Sequence, residues 1–89
     1  ATMAQQLNDA LRILRIKQVK ALTGLPNSTI YDHAKKGLFV KFFKLGERIS
    51  GVLESEVTAI MAARISGKSE AEIKALVLSL ENQRVANWG

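Results

Sequence analysis

The stretch Lys17 to Gly37, KQVKALTGLPNSTIYDHAKKG, constrains the fold most, because two short amphipathic helical patterns meet in it across a turn of Thr23, Gly24, Leu25 and Pro26. Ile16, Val19 and Leu22 recur at intervals of three, which places them on one side of a helix and leaves Lys17, Gln18 and Lys20 outside. Gly24 ends that helix, since glycine takes the left-handed conformation without a Cβ clash, and Pro26 cannot continue the ladder. A second helix is expected from Asn27, whose side chain is placed to cap the free backbone donors, to Gly37 after Lys35 and Lys36. At about 100° per residue, Ile30 and Ala34 fall together with Tyr31 and His33 beside them, forming the side packed on the first helix. Ser28, Asp32, Lys35 and Lys36 take the opposite side, with Thr29 at its margin. A short, polar, hydrogen-bonding surface of this kind suits a helix that enters a DNA major groove, and it is also compatible with a solvated helix on a small bundle.

Charge separates those two readings. Between Arg12 and Arg48 there are nine basic residues against two acidic ones, Asp32 and Glu47, a net +7 in a chain whose total is +5. The segments on either side are each −1, so the excess positive charge coincides with the two-helix pattern, as a surface facing a polyanion requires. With 89 residues the chain has room for one modest core and little besides one binding surface. Absence of cysteine excludes disulfides and thiolate metal sites, and the single histidine, His33, makes neither a metal cluster nor a conventional catalytic pair. No spacing suggests paired carboxylates or an activated nucleophile, so neither catalysis nor a cofactor is implied. No run of eighteen apolar residues and no secretory leader pattern is present, and a cytoplasmic, nucleoid-associated location is expected.

Residues 1–11 read as a flexible lead-in, and Arg12 to Ile16 as a brief strand before the first helix. After Gly37 the sequence LFVKFFKLGERISGVL reads as a β-hairpin, with arms at Val40 to Leu45 and Arg48 to Val52 and with Gly46 supplying the positive φ of a tight turn. Phe39, Phe42 and Phe43 are assigned to packing at the root of this wing, while Lys44 and Arg48 flank its tip, where cations can hold phosphates and an arginine can enter a narrow minor groove. A helix follows with Val57, Ile60, Met61 and Ile65 on its apolar side, opening on Glu54, Ser55 and Glu56 and broken at Gly67. Ser69 and Glu72 then have the spacing of a capping box, starting a last helix that reaches about Arg84 and carries the stripe Ile73, Leu76, Val77 and Leu80. That stripe either packs on the rest of the chain or joins a homodimer across a two-fold axis, and Trp88 is either docked or part of a loose tail.

Taken together, IKQVKALTGLPNSTIYDHAKKGLF, KLGERISGVLESEV and ARISGKSEAEIKALV resemble the AlpA family of prophage regulators, which is related to the excisionase and MerR-like winged-helix group. The resemblance implies a mainly α fold with a small β-hairpin wing: a winged helix-turn-helix over residues 12–66, followed by a C-terminal helix and short tail over 67–89. It also implies a small protein of a phage or integrated element that acts on transcription or on excision, with the second helix in a major groove and the wing alongside. Departures from the family pattern are Pro26 in place of a capping serine, Asp32 in place of a basic residue, Val40 and Phe43 in place of wing prolines, and Val52 in place of a tryptophan. An aspartate facing the groove accepts from cytosine N4 or repels phosphate. The DNA-contacting set expected on these grounds is Lys17, Lys20, Asn27, Ser28, Thr29, Asp32, Lys35, Lys36, Lys44 and Arg48. Its expected partner is double-stranded DNA, with no membrane and no small-molecule substrate. The alternative is a protein-interaction module of the same fold, whose basic side docks on an acidic partner regulator.

Overall fold

The computed structural model describes residues 12–88, without the side chains of the last two, so the expectations for residues 1–11 and for the docking of Trp88 lie outside the described residues. The element order is β1 (Ile13–Leu14), α1 (Ile16–Thr23), α2 (Asn27–Lys36), β2 (Phe43–Lys44), β3 (Ser50–Leu53), α3 (Glu54–Ile65) and α4 (Glu70–Trp88). This is a winged helix-turn-helix with two further helices. Gly24 and Gly37 stop α1 and α2 in the left-handed region, at φ 74° and 81°. Between the two helices Thr23 Oγ1 donates to the Val19 carbonyl and accepts from the Leu25 N–H, so one hydroxyl holds the turn in shape.

The core runs through every helix. Val19 of α1, Ile30 and Ala34 of α2, Val40, Val52 of β3, Val57 and Ile60 of α3, and Ile73 and Val77 of α4 form one buried cluster. Each fully buried aliphatic side chain of this size is worth roughly 1.5–3 kcal/mol, so this shared core sets how α1 and α2 cross. Periodicity overreached at two helix ends: Leu22 and Ile65, expected on packed sides, are 54% and 86% exposed, since each sits in the last turn of its helix. Tyr31 is also exposed and tilts its ring against Phe42, 5.3 Å between centroids, and Phe42 in turn meets Phe39 at 6.3 Å.

The wing differs from the expected hairpin. β1 joins it, giving an antiparallel sheet of order β1-β3-β2 with Leu14 opposite Val52 and Phe43 opposite Gly51. The first arm is short because the chain before β2 bonds to α4 instead of a neighbouring strand. The Lys41 N–H donates to a Glu81 carboxylate oxygen at 2.9 Å, and the Lys41 carbonyl accepts from Arg84 Nη1 at 2.9 Å. Gly46 is not in the left-handed region, contrary to the tight-turn expectation. The tip is instead a wider loop, in which the N–H groups of Leu45 and Gly46 both donate to the Ile49 carbonyl. Gly51 is required by proximity: a Cβ there would lie 2.7 Å from Ile13 Cγ2 and 2.9 Å from the Leu14 carbonyl oxygen. The backbone atom cannot move aside cheaply, so Gly51→Ala is expected to cost about 1–3 kcal/mol, read as a lowered melting temperature. An unchanged melting temperature would contradict this packing of β1 on β3.

α3 begins with the Glu56 carboxylate accepting the Leu53 N–H at 3.2 Å. α4 begins with the expected capping box, Ser69 N–H to Glu72 and Glu72 N–H to Ser69 Oγ. Its stripe turns inward, with Ile73 and Val77 buried and Leu76 and Leu80 half-buried against the core, so that side is covered within the chain.

Candidate nucleic-acid interface

Asn27 does not cap α2. Pro26 holds the cap position in extended geometry, φ −64° and ψ 156°, and Asn27 is the first helical residue, because the chain leaving the turn through a proline is already extended. No side chain caps this helix end and no acidic residue sits in its first turn. The first backbone N–H groups therefore keep their partial positive charge. Lys17 and Lys20 line a shallow depression together with Gly24, Leu25 and Pro26, the turn that leads into this end. Two cations and an uncapped helix terminus make a place where a phosphate oxygen can be held.

Along α2, Asn27, Ser28, Asp32, Lys35 and Lys36 are exposed, with Thr29 half-buried, as its marginal position on the wheel requires. Asp32 and Lys36 are not independent. They form an ion pair at 2.9 Å, and the hydrogen bond from Lys36 lowers the Asp32 carboxyl below its ordinary value while raising the Lys36 ammonium. Both groups are open to solvent, so the pair restrains geometry more than it adds stability. Lys35 and the uncapped end are thus the uncompensated positive features of this side, and Asp32 is held one turn behind Lys36.

Lys44 and Arg48 are exposed on the wing, Lys44 directly opposite Ser50 in the sheet and Arg48 in the tip loop. The structure joins the wing to α2 through Tyr31 and Phe42. Sequence reasoning put Tyr31 on the packed side, so this link was missed, although a tyrosine beside a polar stripe is a fair signal of a boundary residue.

Two arginines that sequence reasoning passed over fix the frame. Arg64 of α3 places Nη2 3.4 Å from His33 Nδ1 and 3.3 Å from the Leu38 carbonyl, tying the end of α2 to α3. Facing a donor, His33 Nδ1 acts as acceptor, so the neutral ring carries its proton on Nε2. Burial first, and the Arg64 charge second, push the His33 pKa below its ordinary 6.5, outweighing the attraction of Asp32. The folded state therefore resists protonation more than the unfolded chain does. Stability is full above the unfolded value and is lost as pH falls below about 6.5. Melting temperature is expected to drop between pH 7 and 6, and His33→Gln is expected to flatten that slope. A melting temperature that rises over this interval would contradict the His33–Arg64 arrangement.

Arg84 of α4 makes the stronger link. Its Nε and Nη2 donate to the two oxygens of Glu56 at 2.6 Å each, with side-chain exposures of 18% and 4%. The same guanidinium holds the Lys41 carbonyl and lies 5.0 Å over the Phe43 ring, so α4 clamps the wing root to the start of α3.

The sequence profile described as prophage CP4-57 regulatory protein (AlpA) matches residues 12–65, which span β1, both helices of the pair, the wing and α3. A protein of Enterobacteria phage P4, described as uncharacterized protein ORF88, is 47% identical over 57 residues, 64% of this chain and 65% of that protein. No solved structure matches the chain. α4 lies beyond the matched span, including most of the piece ARISGKSEAEIKALV. With more than half its length matched across the whole winged unit, the chain belongs to the AlpA family of prophage regulatory proteins.

Proposed function

We propose that this prophage regulator is a sequence-specific DNA-binding protein that lays α2 in the major groove and sets the wing beside it. What supports the reading is one coincidence: the exposed polar side of α2, its uncapped N-terminus and Lys17 and Lys20 adjoin one another within the segment of net +7. A helix with side chains is about 10–12 Å across, and the major groove of B-DNA is about 12 Å wide. Ser28, Thr29, Asp32, Lys35 and Lys36 then face base edges. Lys17, Lys20, Asn27, Lys44 and Arg48 hold phosphates, and these contacts position the protein without carrying sequence information. The same surface serves control of transcription and an architectural part in excision; a reporter assay and an excision assay on the surrounding element separate the two.

Fluorescence anisotropy against duplexes from the neighbourhood of the gene, titrated with salt, is the test. Each phosphate contact contributes about −0.9 to the slope of log affinity against log salt. Arg48→Ala is therefore expected to reduce the slope by about one, weakening operator and random duplex alike. Loss confined to one operator would make Arg48 a reader of bases or groove shape. Binding to an acidic polypeptide that equals binding to duplex would contradict the proposal and favour the acidic-partner alternative.

A further inference from the structure

We propose that the outer side of α4 is a self-association seam, on which a second copy of this chain packs in parallel about a two-fold axis. α4 is apolar on two opposite sides. Its inner side, Ile73, Leu76, Val77 and Leu80, is taken up by the core. On the outer side Ala71, Ala75, Leu78, Asn82 and Val85 are all exposed, Leu78 and Val85 at 60% and 74%. Their separations alternate four and three, the repeat of a coiled-coil seam. In heptad order Ala75 and Asn82 are the a positions and Ala71, Leu78 and Val85 the d positions. A shallow groove runs beside this line, with Ala75, Ser79 and Ala86 between the larger Leu78, Asn82 and Gln83.

Three observations name the occupant as a second copy. First, a two-fold seam sets each residue against itself, and Asn82 suits that arrangement because an amide both donates and accepts. A single asparagine at an a position fixes a parallel register at some cost in strength. Second, residues 67–89 carry three basic and three acidic side chains, so this segment is neutral in a chain of +5, and two like-charged copies meet with least repulsion here. Third, the charges of α4 are already engaged within the protomer: Lys68 with Glu72, Lys74 with Glu70, Arg84 with Glu56, and Glu81 with the Lys41 N–H. A charged partner helix would have to compete with these pairs, whereas an identical neutral one need not. The seam lies on the side of α4 opposite the core.

From Ala71 to Val85 the seam is roughly 21 Å long at 1.5 Å per residue, and two of its five residues are alanine. The dimer is accordingly weak, forming near millimolar concentration in free solution. Two copies held on neighbouring sites experience an effective concentration of about that size, and the seam then makes binding cooperative. This last consequence rests on the DNA-binding reading, and the seam itself does not.

Sedimentation equilibrium of the full chain without DNA, from micromolar to millimolar, tests the seam alone. A reversible monomer–dimer equilibrium is expected. Leu78→Glu is expected to abolish it and Asn82→Ile to tighten it about tenfold, both with unchanged circular dichroism because the positions are exposed. On duplex carrying two adjacent sites, Leu78→Glu is expected to keep single-site affinity and lose cooperativity. A wild-type chain that is monomeric at every concentration, including one that captures an unrelated helix on this side, overturns the proposal. So does a dimer that survives Leu78→Glu. If the chain binds no duplex at all, the sedimentation result still decides the seam.

Discussion

Replacing Arg84 by alanine is expected to be as damaging as truncating a core residue, costing about 3–5 kcal/mol. The reason is the partner left behind. Glu56 has a side chain only 4% exposed, and both its oxygens accept from Arg84, so truncation leaves a sequestered carboxylate with only the Leu53 N–H as partner. A domain of this size has about 5–15 kcal/mol of stability in total, and each kcal/mol corresponds to roughly 4–8 °C of melting temperature. Arg84→Ala should therefore melt more than about 12 °C below the wild type. The pair is not there because ions stabilise cores: replacing both partners together, Glu56→Leu with Arg84→Met, removes the charge problem and should recover part of the loss, the remainder reflecting the Leu53 N–H and the Lys41 carbonyl left without their partners. A single variant that melts within about 3 °C of the wild type would show that the carboxylate is not sequestered, and the clamp on the wing root would fall with it.

That clamp also shows where reading the sequence stops. The helix-turn-helix was legible because its signals are local: Val19, Ile30 and Ala34 at helical spacing, and glycines 24 and 37 where each helix must end. The capping box of Ser69 and Glu72 was legible for the same reason. Glu56 and Arg84 lie 28 positions apart, and nothing near either announces the other. Their consequence for the wing was hidden too, since Lys41 lies between the strand-forming Val40 and Phe42 yet spends its N–H and its carbonyl on α4. Leu22 and Ile65 failed in another way. Periodicity identifies a side of an isolated helix and not how far its neighbour extends, so residues in a last turn can point past the core. For the candidate interface, the exposed positions Ser28, Asp32, Lys35 and Lys36 followed from the wheel, whereas the Asp32–Lys36 pair and the uncapped start of α2 depend on rotamer and cap geometry that the folded backbone sets.

Substitution of the outward residues of α2 should separate recognition from stability. Ser28 and Asp32 are exposed and outside the core, so Ser28→Ala and Asp32→Ala are expected to change stability by no more than about 0.5 kcal/mol. Specificity is a different matter. A side chain that contacts a base edge contributes about 1–3 kcal/mol of discrimination at that base pair. The two variants should differ in non-specific binding. Ser28→Ala removes no charge and leaves it nearly unchanged, whereas Asp32→Ala releases Lys36 from its ion pair and removes a negative charge near phosphate, strengthening it. On the proposed reading, that pair of results would make Asp32 a residue that trades affinity for selectivity.

The ratio of operator affinity to random-duplex affinity, measured at one salt concentration for wild type, Ser28→Ala and Asp32→Ala, tests most directly whether α2 reads DNA. A ratio reduced about 5- to 150-fold in at least one variant, the equivalent of about 1–3 kcal/mol, with melting temperatures intact, is the predicted result. An unaltered ratio in both variants, with the fold preserved, would contradict the account and move the source of selectivity to the wing or to a partner protein.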